Sequence, residues 1–232
     1  MLRKPEELLT GEIEIEGRLV DASNATLFGK IHVGEPRELS VVYKPIAGER
    51  PLWDFPDGNL AQREVASYAL SAAGGFNCVP TTVLREGPFG LGAVQQWVEV
   101  NESIDIIELG QSNLPSIRNI ALLDVIINNT DRKFGHLLPV SESEVYGCDH
   151  GVTFHEEFKL RTVIWQFAGQ ALSASERNQI ELVQNFVEND QSFHSLLTAE
   201  EISATLERIE KLKNEGFPVP TEEWPAIPWP PV

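Results

Sequence analysis

The sequence predicts an α+β fold in two halves, a β-rich first half with a single helix and a mainly helical second half. Three observations carry this expectation. Short segments of strand character crowd the first 100 residues. Only one stretch there, residues 59–75, spaces its apolar side chains helically. Beyond residue 100 the chain turns to an apolar helical run and to two capping boxes. A linker-like boundary near 99–103 divides a lobe at 1–100 from one at 101–232, within one bilobal domain.

Element by element, GEIEIEGRLV (11–20) alternates apolar with acidic residues and reads as a half-exposed strand. The turn cluster DASNAT (21–26) joins it to LFGKIHV (27–33), which makes a hairpin. ELSVVYKPI (38–46) is a third strand with Lys44 near its end, and GERPLWDFPDG (48–58) is a loop broken by prolines and glycines. In 59–75 the apolar positions 60, 61, 65, 69 and 72 are helically spaced, Asn59 is the N-cap and Gly74–Gly75 the stop. VPTTVLRE (79–86) and LGAVQQWVEV (91–100) are strands joined by the turn GPFG. SIRNIALLDVIINN (116–129) is apolar nearly all round, as a buried helix is. EVYGCDHG (144–151) is a short strand entering a turn, and LRTVIWQFAGQAL (160–172) reads as a further helix. Ser173 with Glu176, and Thr198 with Glu201, form capping boxes that open two more helices. The last 17 residues hold six prolines and two tryptophans. Such a tail is not helical, and it is expected to wrap the domain and bury Trp224 and Trp229.

The formal net charge is −17, from 18 Lys and Arg against 35 Asp and Glu. So acidic a chain argues against nucleic acid as a partner and against stable docking on anionic membranes. No apolar stretch approaches the roughly 18 residues of a spanning helix, and the N-terminus lacks a signal-peptide core, so a cytoplasmic protein is expected. Cys78 and Cys148, the only cysteines, are expected to be free thiols.

Four positions carry chemistry, and each is ambiguous alone. Lys44, closing an apolar strand, has the ordinary reading of a solvated edge charge. Glu64, 20 positions on in the helix and beside Arg63, has the ordinary reading of an exposed helix carboxylate. Asp131 lies in NNTDRKFGH (128–136), a dense polar loop that follows the buried helix. There Asp131 is suited to be a catalytic base, and Arg132 and Lys133 to neutralise developing phosphoryl charge. The same loop also reads as a helix end, with cations answering the helix dipole. Asp149, two residues before Gly151, suits a divalent cation bridging nucleotide phosphates, although Asp-x-Gly turns are common. Strand Lys, helix Glu, loop Asp and then Asp-x-Gly is the order in which kinases arrange these groups.

With these residues in place the chain resembles the protein-kinase-like superfamily, on the branch of phosphatidylinositol 3-/4-kinases and HipA-like kinases. Their catalytic loops read N-x-D-R-x-x-x-N, against NTDRKFGH here. More closely, it resembles small actinobacterial phosphatidylinositol 3-/4-kinase-like proteins. The stretches VYKPIAGERPLWDFPDG, REVASY, VQQWVE, NNTDRKFGH, CDHGVTFH, KLRTVIW and IPWPPV carry that resemblance over nearly the whole chain. It implies a two-lobed protein-kinase-like fold and an ATP-dependent phosphotransferase that uses Mg²⁺ or Mn²⁺. Lys44 would contact the α/β phosphates, steadied by Glu64. The stretch SNAT (23–26), with Ser23 and Asn24, would be the phosphate loop, and Gln96, Trp97 and Val98 the adenine hinge. Asp131 would be the catalytic base and Asp149 a metal ligand. His136 stands where the superfamily has a second metal-binding Asn, which implies an altered metal preference, a phosphate contact or lost activity.

The acceptor implied is a hydroxyl on a small molecule, a protein or an inositol lipid. A nucleotide-binding pseudokinase acting through a protein partner, and an AMP transferase of the same fold, stand as alternatives. Asp124, in the apolar run ALLDVII, is expected to bond to the backbone of the loop. In HEEFKLR (155–161), His155, Lys159 and Arg161 are candidate substrate-phosphate contacts.

Overall fold

The alternating segments of the first half form a five-stranded antiparallel sheet of order β1-β2-β3-β5-β4. Its strands are β1 (Ile13–Arg18), β2 (Leu27–His32), β3 (Glu38–Pro45), β4 (Thr82–Gly87) and β5 (Gly90–Gln96). The computed structural model describes residues 4–19, 25–33, 38–222 and 224–232. A small core of Ile13, Ile31, Leu39, Val41, Tyr43, Val83 and Val94 fills one face of the sheet. It is closed by Leu8 of a short helix α1 (Pro5–Leu9), which the sequence reading does not anticipate. β5 stops at Gln96, earlier than its apolar pattern, because the chain then leaves the sheet.

Helix α2 (Leu60–Ala73) starts where expected, with Asn59 Oδ1 accepting the Gln62 N–H at 2.8 Å. Its buried positions include Arg63 and Glu64, so neither is the exposed charge that a lone helix reading gives. Arg63 pairs with Glu201 at 2.6 Å and lies over Phe55, which ties α2 to the second half.

In the second half, α3 (Ile106–Gly110) precedes α4 (Pro115–Ile126), with Pro115 at the first helical position. Every residue from Ile120 to Ile126 is buried, which matches the all-round apolar pattern. The polar loop leads into a hairpin of β6 (Leu137–Ser141) and β7 (Glu144–Gly147). Both capping boxes form, opening α5 (Ala174–Asn189) and α7 (Ala199–Glu215), with the short α6 (Gln191–His194) between them. These helices share the larger core with the inner face of α2.

Two expectations fail. Residues 160–172 are not a helix. Arg161 donates its N–H to Asn129 O and Val163 to Arg132 O, and Arg132 pairs with Thr162 in a parallel bridge. Backbone groups taken by the neighbouring loop are lost to an i→i−4 ladder. The tail does wrap the domain: Pro231 O accepts the Phe134 N–H, and Ala226 O accepts both the Thr162 N–H and Trp165 Nε1. Trp224 is half-buried, but Trp229 is 85% exposed, so the tail holds on through its backbone rather than through that ring. Both cysteines are free. Among the described residues no helix is long and apolar enough to cross a membrane.

Candidate functional site

Strand alternation places Lys44. In β3 the side chains of Leu39, Val41, Tyr43 and Pro45 are buried, and Lys44 emerges on the opposite face. There its Nζ donates to Glu64 Oε1 on α2 and, at 2.9 Å, to Asp149 Oδ1. The second Glu64 oxygen accepts the backbone N–H of His150 at 3.0 Å. One helix carboxylate thus fastens the strand lysine to the turn that carries Asp149. Burial disfavours the Lys44 ammonium, but Asp149 and Glu64 outweigh it and raise its pKa. Lys44 in turn holds the Asp149 carboxyl well below the usual carboxylate range. The Asp149 side chain is still 56% exposed, which leaves it open to a ligand.

The backbone of this turn is unusual. Asp149 has φ 59°, in the left-handed region that a Cβ disfavours, and so have Asn128 (52°) in the polar loop and Phe154 (63°) five residues on. Such conformations persist where the surroundings over-determine them. Here the surroundings are the Glu64 bond to His150 and the bond from the Phe154 N–H to Ile127 O. Gly151 lets the turn approach α2, since a Cβ there would lie 3.1 Å from the Leu60 Cβ.

Beneath the polar loop lies a network with no exposed member. Asp124 accepts from Arg132 Nε and Nη2 at 2.9 Å each, and from Asn129 Nδ2 at 2.9 Å. Arg132 Nη1 donates to Cys148 O, and its Nη2 meets His150 Nε2 at 2.6 Å. Burial, then the charge of Arg132, keeps His150 well below the usual imidazole pKa and therefore neutral. Asp124 thus holds the loop through side chains, where a bond to its backbone N–H groups was expected. Asn129 Oδ1 relays the hold to the Asp131 N–H at 3.0 Å.

Above this network Asp131 faces the cleft, with Lys133 Nζ 3.3 Å from its carboxylate. His136 closes a 3₁₀ turn, and its Nε2 stands 3.5 Å from Asp149 Oδ2. Its Nδ1 is buried and has no hydrogen-bond partner among the described residues. Burial lowers the His136 pKa against the pull of Asp149.

Lys44, Glu64, Asp131, Lys133, His136 and Asp149 line one cavity of about 190 Å³, together with Ala25, Thr26 and Glu49. Six of the expected site residues therefore converge. Arg132 does not: it is wholly buried, with its guanidinium turned to Asp124 below the loop, so it is not a phosphate contact in this arrangement. Ser23 and Asn24 fall outside the described residues, whereas Ala25 and Thr26 of the same stretch do border the cavity. Gln96, Trp97 and Val98 are not in its lining. The Gln96 N–H goes to Thr81 O and the Trp97 N–H to Ser40 O, while the Trp97 ring packs on Phe28 at 5.0 Å. Lys159 meets His155 Nε2 at 2.9 Å and lies over the Trp224 ring at 5.3 Å, and both residues border a different cavity. Arg161 is not in the cavity lining.

Sequence reasoning misses Glu49 and His150. Glu49 accepts the first two N–H groups of α2, from Leu60 and Ala61, at 2.9 Å each. A carboxylate in a Pro-rich loop carries no local sign of that task. For His150 the signal was adjacency, since it sits between Asp149 and Gly151.

Comparison with solved structures defines the class: this is a two-lobed, protein-kinase-like fold. The chain aligns over 91% of its length with the Golgi casein kinase with Mn/ADP bound, at TM-score 0.59, 16% identity and 74% of that chain. It aligns over 91% with hydra Fam20 with sugar, at TM-score 0.59, 13% identity and 86% of that chain. Helicobacter pylori proinflammatory kinase CtkA matches at TM-score 0.50 and 10% identity, over 90% of this chain and 94% of that one. No protein-family model matches the chain. Among curated proteins, Protein Rv2133c of Mycobacterium tuberculosis (strain ATCC 25618 / H37Rv) is 35% identical over 261 aligned positions, which cover 96% of this chain and 93% of that protein. The chain belongs to the same family as this mycobacterial protein. Phosphatidylinositol 4-kinase gamma 4 of Oryza sativa subsp. japonica is 30% identical over 135 positions, 49% of this chain. The match spans about a quarter of the rice protein's length, 24%.

Proposed function

We propose that the protein is an ATP-dependent phosphotransferase of the phosphatidylinositol 3-/4-kinase-like type, closing lobes 1–100 and 101–232 on a nucleotide. One observation carries the reading. Lys44, Glu64, Asp131 and Asp149, dispersed over more than 100 positions, line a single cavity, with Lys44 bonded to both Glu64 and Asp149, which supports phosphoryl transfer.

In this reading Lys44 takes the α/β phosphates, and Glu64 keeps its ammonium in place. Asp131 accepts or orients the proton of the attacking hydroxyl, and Lys133 answers the charge on the transferring group. Arg132 is a positioning residue that fixes the loop from below. Of the three hinge residues, Val98 is the one whose N–H would meet the adenine, because those of Gln96 and Trp97 are committed.

The donor set fits a divalent ion. Among the described residues no cluster of three or more His, Cys, Asp or Glu could hold a metal by itself. Mg²⁺ and its relatives in kinase sites use one or two carboxylates plus substrate phosphates. Asp149 is ionised and half open, and His136, kept neutral beside it, offers a nitrogen that suits Mn²⁺ better than Mg²⁺. When bound, the ion would neutralise phosphate charge during transfer.

The acceptor is a hydroxyl on a small molecule, a protein or an inositol headgroup. The rice relative's name supports the last, and the net charge of −17 disfavours a membrane-embedded substrate. The test is mass spectrometry of ATP incubated with the protein and Mg²⁺ or Mn²⁺, beside Asp131→Ala. ADP release that the variant loses is the expected result. Intact ATP with both metals would overturn the proposal, and AMP-tagged protein would replace it with nucleotidyl transfer.

A further inference from the structure

Among the described residues, Arg63 pairs with Glu201, Arg118 with Glu176 and Arg132 with Asp124. Arg208 on α7 is buried as Arg63 and Arg132 are, yet its hydrogen bonds go to no carboxylate. It is 8% exposed, and its partners are neutral. Nε donates to Ile126 O at 3.0 Å, Nη1 to His155 O at 3.0 Å and Nη2 to Thr205 Oγ1 at 2.8 Å. Among the described residues it makes no ion pair. The carbonyls of Ile126, at the end of α4, and of His155 soften the burial of this charge but carry no full negative charge themselves. Burial pulls the guanidinium pKa down to about 9, against the pull of Glu201 and Glu207. A guanidinium has five N–H groups, of which Arg208 commits three. One remains on each terminal nitrogen, the number that the two oxygens of a carboxylate accept.

Arg208 forms part of the wall of a cavity of about 420 Å³ that shares no lining residue with the Lys44 cleft. The volume lies in the range of about 300–1,000 Å³ that small-molecule sites occupy. Apolar side chains line much of the rest: Val125, Leu212 and Phe217 are buried, and Phe158 and Val219 are 42% and 59% exposed. Glu156, Glu207 and Glu215 also border it, all exposed, against the single exposed cation Lys211. That rim disfavours a dianion such as a phosphate monoester and tolerates a monoanion whose charge reaches the buried guanidinium. We propose that this cavity binds an amphiphilic monocarboxylate, with its carboxylate on Arg208 and its hydrocarbon tail against Phe158, Phe217 and Val219. The site abuts the polar loop, because His155 O accepts from Asn128 Nδ2 as well as from Arg208.

Isothermal titration calorimetry of the full chain with sodium decanoate at neutral pH tests this, with decanol as the uncharged probe. Decanoate should saturate one site, decanol should bind about tenfold or more weakly, and Arg208→Gln should erase that preference. Ala204→Phe fills the cavity without altering a charge and should abolish binding of both. If Arg208→Gln fails to fold by circular dichroism, the decanol comparison and Ala204→Phe decide alone. Absence of saturable decanoate binding, equal affinity for decanol, or binding unaffected by Ala204→Phe would each overturn the proposal.

Discussion

Two groups of charge lie on either side of one loop and are finished differently. Below it, Asp124, Asn129, Arg132 and His150 are all fully buried, and all five N–H groups of Arg132 are taken by Asp124, His150 and the carbonyls of Cys148 and His136. Above it, Lys44, Asp131, Lys133, His136 and Asp149 hold one another loosely around an open cavity. The guanidinium of the lower group has no N–H left for a ligand, and the upper group keeps lone pairs and cationic charge in reserve. The difference separates groups that hold a loop from groups that stay open to a ligand.

The contrast can be broken at its lower side first. Asp124→Ala leaves a buried guanidinium without its carboxylate, and urea unfolding should show a loss of about 3–5 kcal/mol. Asp131→Ala, one layer up and half-buried, should change stability by no more than about 0.5 kcal/mol. Its effect falls on chemistry: ADP release should drop by about 10²-fold or more. If the two variants showed similar losses of stability, the division between holding and reacting groups would fail.

Smaller effects sharpen the picture. Glu49→Ala removes the acceptor for two N–H groups at the start of α2 and should cost about 1 kcal/mol, as a lost helix cap does. The same variant should raise the KM for ATP, since α2 carries the Glu64 that steadies Lys44. His136→Asn should leave the melting temperature nearly unchanged and raise Mg²⁺-supported relative to Mn²⁺-supported turnover. An identical metal preference would remove His136 from the ligand set. The smallest effect is expected for Trp229→Ala, within about 0.5 kcal/mol in the same unfolding assay, because the ring is 85% exposed.

Much of the fold was legible. Asn59, Ser173 and Thr198 announced their helices because a cap is a bond across three residues, readable in a short window. Lys44 was legible for a similar reason, since alternation alone sends it to the face opposite Tyr43. The segment 160–172 was not legible. Its apolar spacing suits a helix, but its backbone is claimed by Asn129 and Arg132, 30 or so positions away.

Within NNTDRKFGH the sequence by itself determined that a polar loop follows a buried helix and that its charges serve one another or a ligand. Only the tertiary structure decided which does which. Asp131 and Arg132 are neighbours in the chain, and their side chains leave opposite sides of the loop. Asp124 and His150 lie below to receive the guanidinium, and Lys44 and Asp149 lie above. Period and capping are short-range and can be read from residues. The partner that settles a buried charge is long-range, and for Arg208 the described residues contain no such partner.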